Sequence, residues 1–277
     1  MNAAGAACAG TLTLGGDLTV NRLGFGAMRI AGPGVWGEPR DGSEARRVLR
    51  RALELGINFL DTADSYGPEV SERLIAESLY PYPPGLVIAT KGGLVRPAPG
   101  QWAADGRPAH LRAACEGSLK RLKLACIDLY QLHRVDPAVA LEDSIGELAR
   151  LRQEGKIRHV GVSNFSVREL ERARRLVPVV SVQNRYNVGD RTSEDVLRVC
   201  EHAGLAFIPW APLAAAQPVE RLAAEHAVGL QQLTIAWLLA KSPAMLPIPG
   251  TSSVAHLEQN VAAAQLRLSA AEVAAIG

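Results

Sequence analysis

The sequence predicts a (β/α)8 barrel, and three observations carry that expectation. Short β-branched or apolar runs alternate with longer amphipathic stretches, the pattern of βαβ units around a parallel sheet. The alternation completes eight times along the 277 residues, a length at which such barrels commonly form around one core. Polar residues able to do chemistry gather just past several of the apolar runs, where a barrel exposes the C-terminal ends of its strands.

In chain order, residues 1–10 read as a flexible leader, with neither the basic start nor the sustained apolar run of a signal peptide. Residues 11–20 form a hairpin about the Gly15-Gly16-Asp17 turn. The barrel strands are expected at 23–28, 57–60, 86–90, 127–132, 159–162, 179–183, 206–210 and 245–248. Their helices are expected at 44–55, 69–79, 109–122, 141–154, 167–176, 193–203, 230–241 and 254–264. Ser166 with Glu169 and Ser269 with Glu272 have capping-box spacing, and Gly56, Gly155 and Gly204 stand where left-handed C-caps belong. No linker or charge run divides the chain, so 1–277 is read as a single domain. An open doubly wound sheet is the competing topology.

Composition narrows the function classes. A formal net charge of +2 offers no basic stripe for nucleic acid. Cys8, Cys115, Cys126 and Cys200 lie far apart without a Cys-x-x-Cys pair, which suits a reducing cytoplasm and argues against a zinc ribbon or dithiol motif. The most apolar late stretch, 205–216, is broken by Pro209 and Pro212 and falls short of the ~20 residues that span a bilayer. Neither a nucleic-acid nor a membrane partner is expected; the assembly state is left open.

The rim residues suggest proton transfer. Strand two runs into Asp61 and Tyr66, strand three ends at Lys91, strand four at His133 and strand five at Ser163 and Asn164. Free tyrosine, with a pKa of ~10, is a poor acid at neutral pH, and an ammonium close by favours its phenolate. Lys91 is placed to do this, Asp61 to hold the lysine charged, and His133 to orient a carbonyl beside Tyr66. The competing reading makes Asp61 a helix cap, Tyr66 a packed ring and Lys91 a strand-end cation reaching solvent. A metal-dependent hydrolase built on Asp61, Asp64, His133 and Asp136 is a second alternative, but strand one lacks the expected His-x-His. A barrel that only senses a nicotinamide cofactor is a third.

Four segments resemble the aldo-keto reductase family: GINFLDTADSYG over 56–67, ATKG over 89–92, DLYQLH over 128–133 and GKIRHVGVSNF over 155–165. The resemblance runs from the hairpin to the last helix and is similar in detail to the short bacterial branch that includes pyridoxal reductases. It implies that Asp61, Tyr66, Lys91 and His133 are a catalytic tetrad reducing a small-molecule aldehyde or ketone, with Tyr66 the proton donor and no metal. It implies NADPH as cofactor, with NADH as the alternative. Ser163, Asn164 and Gln183 would hold the nicotinamide carboxamide, Trp210 the ring face, and Pro212 and Leu213 the neighbouring wall. Gly250, Thr251 and Ser252, aided by His256, Gln259 and Asn260, would hold the adenosine phosphates at a helix N-terminus, where free N–H groups suit anions. The family's arginine and lysine for the 2′-phosphate are replaced here by His256 and Gly250. The alternative at this helix start is a simple cap by Ser253.

Gly32-Pro33-Gly34-Val35-Trp36-Gly37 matches the spacing of a dinucleotide-binding glycine motif but opens no helix, and reads as a loop over the pocket mouth. The loop 92–108, with Arg96 and Trp102, is expected to line the pocket beside it. The chain's end at Gly277 suggests an open, permissive pocket.

Overall fold

The computed structural model describes residues 5–213 and 217–277; the last three positions of the apolar stretch 205–216 lie outside the described residues. A hairpin of β1 (Thr11–Leu14) and β2 (Leu18–Asn21) precedes the barrel strands β3 (Phe25–Gly26), β4 (Phe59–Asp61) and β5 (Val87–Gly92). A small second hairpin, β6 (Leu94–Val95) with β7 (Ala103–Ala104), follows, and then β8 (Ile127–Leu132), β9 (Ile157–Ser163), β10 (Val179–Arg185) and β11 (Ala206–Trp210). The helices are α1 (Gly42–Glu54), α2 (Val70–Leu79), α3 (Pro108–Leu122), α4 (Leu141–Gln153), α5 (Val167–Arg174), α6 (Glu194–Ala203), α7 (Gln217–Glu225), α8 (Leu230–Lys241), α9 (Val254–Ala262) and α10 (Ala270–Ile276).

Seven strands pair in parallel in the order β11-β10-β9-β8-β5-β4-β3. The eighth, expected at 245–248, forms only an isolated bridge between Met245 and Phe207. It still closes the barrel: Leu246 N–H donates to the Phe207 carbonyl on one side, and Gly24 N–H donates to the Pro247 carbonyl on the other. Pro247 and Pro249 have no N–H to donate, so a regular ladder cannot form there. The (β/α)8 architecture stands with its eighth position held by a few isolated backbone bonds.

Strand alternation sorts the side chains. Phe59, Ala89, Leu129 and Ile208 point into the barrel and pack on Leu14, Leu18 and Val20 of the hairpin, which plugs the N-terminal end. The intervening Leu60 and Ile88 face α1 and α2, while Tyr130 and Val182 face the helices on the other side. Continuing the inward register by two residues from Phe59, Ala89 and Leu129 reaches Asp61, Lys91 and Gln131, so the polar floor of the cleft is a consequence of the pleat.

Both expected capping boxes form, at Ser166–Glu169 and Ser269–Glu272, and Gly56, Gly155 and Gly204 have positive φ. The leader is a correction within its described part. Residues Ala6–Ala9 make a 3-10 turn, Ala6 is fully buried, and its N–H donates to the Leu55 carbonyl. Small side chains let this segment lie against α1 although it has no periodicity to announce it. Helix α7 was not anticipated, and α10 was signalled only by its cap. Residues Pro33–Val35 form a 3-10 turn in a loop, with no helix opening from the glycine motif. No helix among the described residues is long and apolar enough to cross a membrane.

Candidate active site

At the C-terminal rim lies a cleft of about 560 Å³, lined among others by Asp61, Tyr66, His133, Ser163, Asn164, Gln183, Trp210, Pro212, Leu213 and Gly250. Lys91, fully buried beneath it, donates from Nζ to Asp61 Oδ2 at 2.7 Å, to the Thr62 carbonyl at 2.7 Å and to the Tyr66 hydroxyl at 3.3 Å. Burial pulls the Lys91 pKa down, but Asp61 and the phenol more than reverse this and leave it above its usual value, so the ammonium persists. Asp61 Oδ1 accepts from two amides, Gln131 Nε2 at 3.0 Å and Gln183 Nε2 at 2.8 Å. The carboxylate is therefore fully engaged and caps no helix. Gln131 is the residue that sequence reasoning passed over, because it stands inside an apolar run; its inward register was the available signal.

Burial pushes the Tyr66 hydroxyl above its usual pKa, with Lys91 drawing it back. This departs from the expectation of a net depression: enclosure outweighs the ammonium, and the phenol carries its proton at neutral pH. His133 stands edge-on to Tyr66, with ring centroids 5.9 Å apart, and its Nδ1 is 3.4 Å from Ser65 Oγ. Burial, Lys91 and Arg134 hold its pKa well below the usual value, so the imidazole is neutral. Gly92 makes this corner possible, since a Cβ there would fall 2.1 Å from the Tyr130 hydroxyl.

A second set of bonds fixes the side wall. Asn164, at φ 60°, donates from Nδ2 to the His133 carbonyl and to Ser163 Oγ, both at 3.0 Å, and accepts the Trp210 indole N–H at 3.0 Å. Ser163 Oγ donates to the Gln183 carbonyl at 2.8 Å. Tetrad and side wall are thus one network, joined through Asp61, Gln183 and His133. Asn and Asp tolerate the left-handed region that this turn requires.

The expected phosphate end is brought in only partly. Gly250 lines the main cleft, and Ser252 lines an adjoining cavity of about 480 Å³ that shares Met28 and Arg29 with it. Thr251 is buried, while His256 and Gln259 stand exposed on α9 and line neither cavity. Ser253 makes no cap bond. The first N–H of α9, from Val254, instead donates at 2.9 Å to Glu44 Oε1 on α1, and Ser253 N–H donates to Thr251 Oγ1 at 3.1 Å. Glu44 is 210 positions from Val254, a contact that no local pattern announces.

Arg96 locks the two mouth loops together. It donates to the carbonyls of Gly34, Val35 and Gln101 and stacks 3.7 Å from the Trp102 ring centroid and 5.5 Å from that of Trp36. Trp102 lines the cleft; Trp36 does not. Among the described residues no three His, Cys, Asp or Glu side chains gather as a metal site would require.

Behind the tetrad, Asp64 is half-buried, but its Oδ1 is enclosed without a hydrogen-bond partner. Burial, with Glu72 nearby, raises its pKa from 3.8 to about 8. The folded state thus holds a proton that the unfolded state releases, and this contribution to stability declines as pH rises from about 4 to about 8. Asp64→Asn, neutral throughout, is expected to melt increasingly above wild type across that window. Thermal melts at several pH values check this; a difference independent of pH, or a wild type that is the more stable at pH ~8, would remove the assignment.

A sequence profile of the Aldo/keto reductase family matches residues 22–277. The chain is 50% identical over 274 residues to an uncharacterised oxidoreductase of Schizosaccharomyces pombe, covering 97% of this chain and 89% of the relative. It is 42% identical over 270 residues to the pyridoxine 4-dehydrogenase of Escherichia coli K12, covering 94% of each. Its fold superposes with a TM-score of 0.79, at 25% identity, on an aldo-keto reductase from Klebsiella pneumoniae crystallised with NADPH, covering 96% of this chain and 93% of that one. A parallel barrel whose rim carries a buried lysine, carboxylate, phenol and imidazole, matched along nearly its whole length by that family, places the chain in the aldo/keto reductase family of NAD(P)H-dependent oxidoreductases.

Proposed function

We propose that the cleft reduces an aldehyde or ketone to the alcohol, with NADPH as cofactor and Tyr66 as the general acid. The observation that carries this is Tyr66 on the cleft lining, its hydroxyl 3.3 Å from the buried Lys91 Nζ and its ring edge-on to the imidazole of His133. When bound, the nicotinamide supplies a hydride to the carbonyl carbon. As negative charge develops on the carbonyl oxygen, Tyr66 gives up its proton and Lys91 stabilises the phenolate that remains. Asp61, held by two amides, keeps Lys91 in place through that change of charge. The neutral His133 orients the carbonyl oxygen toward Tyr66.

The residues present fit a nicotinamide dinucleotide. Two adjoining cavities give it an elongated berth, within the size range of cofactor sites. A Cβ at Gly250 would fall 2.4 Å from the Gly26 carbonyl, so the two glycine backbones that line the main cleft pack directly against each other. Ser163, Asn164 and Gln183 would hold the carboxamide, Trp210 the ring face, and Pro212 and Leu213 the flank. Gly250, Thr251 and Ser252 would take the phosphates, with His256, Gln259 and Asn260 at the adenosine end. The carboxylate of Glu44 shares that end, which tempers the preference for NADPH over NADH. The Escherichia coli relative's name makes pyridoxal-like aldehydes the first substrates to try, within a broader range of carbonyls. The four free thiols suit a cytoplasmic setting.

The test is NADPH oxidation, followed by absorbance, over a panel of aldehydes and ketones that includes pyridoxal, with NADH in parallel. Turnover with several aldehydes and faster rates with NADPH are expected. NADPH that binds tightly but is consumed with no carbonyl would favour a cofactor-sensing protein instead.

A further inference from the structure

The cleft holds a guanidinium for which the reduction chemistry has no use. Arg134 follows His133 in the chain and lines the cleft, yet it makes no hydrogen bond or ion pair among the described residues. Other arginines near this rim are committed. Arg96 is used up on three backbone carbonyls and two indoles, and Arg185 pairs with Asp190 at 3.1 Å. Arg29 also lines the cleft without a partner, but it belongs to the far end, where its Cγ is 3.6 Å from the position of a Cβ on Gly250. The one carboxylate on the lining, Asp61, is neutralised by Lys91 and enclosed. The lining of the same cleft includes the apolar Leu94, Trp102 and Leu213. A fixed positive charge with no ion-pair partner, on a partly apolar cleft and adjacent in sequence to His133, is complementary to an anion on the bound molecule.

We propose that Arg134 binds an anionic oxygen of the substrate, so that the preferred carbonyl compounds are aldehydes or ketones carrying a carboxylate or a phosphate. This rests on the reduction reading above. It assigns Arg134 to substrate selection and not to the chemical step: a guanidinium offers a planar fork of donors to an anion and keeps its own proton. Its field also helps hold His133 neutral.

The experiment compares 4-carboxybenzaldehyde with its methyl ester, and pyridoxal 5′-phosphate with pyridoxal, in the wild type, Arg134→Met and Arg134→Lys, with NADPH oxidation as readout. In the wild type kcat/KM is expected to favour the charged member of at least one pair by about tenfold or more, the scale of a charge-assisted hydrogen bond. Arg134→Met should collapse that ratio, chiefly through KM, and Arg134→Lys should restore part of it. Which pair responds separates a carboxylate from a phosphate. Because Arg134 is exposed and unpaired, both variants should fold, and matching thermal melts would verify it. A wild type that reduces both members equally, or the same charged-to-neutral ratio in wild type and Arg134→Met, overturns the assignment while leaving the reduction reading intact. If no aldehyde in either pair is reduced by the wild type, the reduction reading itself fails and takes this inference with it.

Discussion

Lys91→Met is expected to lower carbonyl reduction by at least about 10²-fold and to destabilise the protein by about 3 kcal/mol, the lower end for breaking a buried ion pair. Methionine fills nearly the same space, so packing is a small part of the loss. What disappears is the partner of Asp61 at 2.7 Å and the charge that stabilises a Tyr66 phenolate. The loss sits at the lower end because Gln131 and Gln183 still donate to the carboxylate. In a chain of this size ~3 kcal/mol corresponds to a melting temperature lower by about 6–12 °C. The double variant Asp61→Asn/Lys91→Met should recover much of the stability, since no charge is then left buried alone, but none of the activity. Calorimetry and NADPH turnover on the three proteins check this. A Lys91→Met protein with normal melting and turnover would remove the buried pair from both roles.

What could be read in the sequence was whatever depends on period and punctuation. The strands that end at Asp61, Lys91 and His133 are marked by local apolar runs, and the Ser166–Glu169 and Ser269–Glu272 caps are local too; these appear in the fold within a few residues of where they are expected. The seam at 245–248 was legible as a strand by apolarity but not as an irregular one, although Pro247 and Pro249 were the warning. The turn at Ala6–Ala9 carries no periodic signal, and its order comes from Leu55, nearly 50 residues away. The site divides the same way. Asp61, Tyr66 and His133 meet on the cleft because strand ends converge at one rim, with Lys91 beneath them. Gln131 escaped notice because a polar residue inside a barrel is defined by what it faces across the interior, not by its neighbours. Glu44 at the start of α9 joins the first helix to the ninth, and it takes an N–H beside the segment where Gly250, Thr251 and Ser252, aided by His256, Gln259 and Asn260, are expected to hold phosphate.

The net effect of enclosure on Tyr66 bears on the chemistry. A phenol whose pKa is raised by burial keeps its proton across the neutral range, and it is the ammonium beside it that eases the proton's departure by stabilising the phenolate. Removing only that hydroxyl isolates the step. Tyr66→Phe keeps the ring and its edge contact with His133, so cofactor binding and melting should stay close to wild type, while the loss of a general acid costs about 10²–10⁴-fold. The decisive measurement is the single-turnover rate of aldehyde reduction by Tyr66→Phe with NADPH already bound at saturation, beside its NADPH dissociation constant. A rate lower by at least about 10²-fold, with the dissociation constant within about twofold of wild type, is the expected result; a single-turnover rate equal to wild type would contradict Tyr66 as the proton donor and the arrangement built around it.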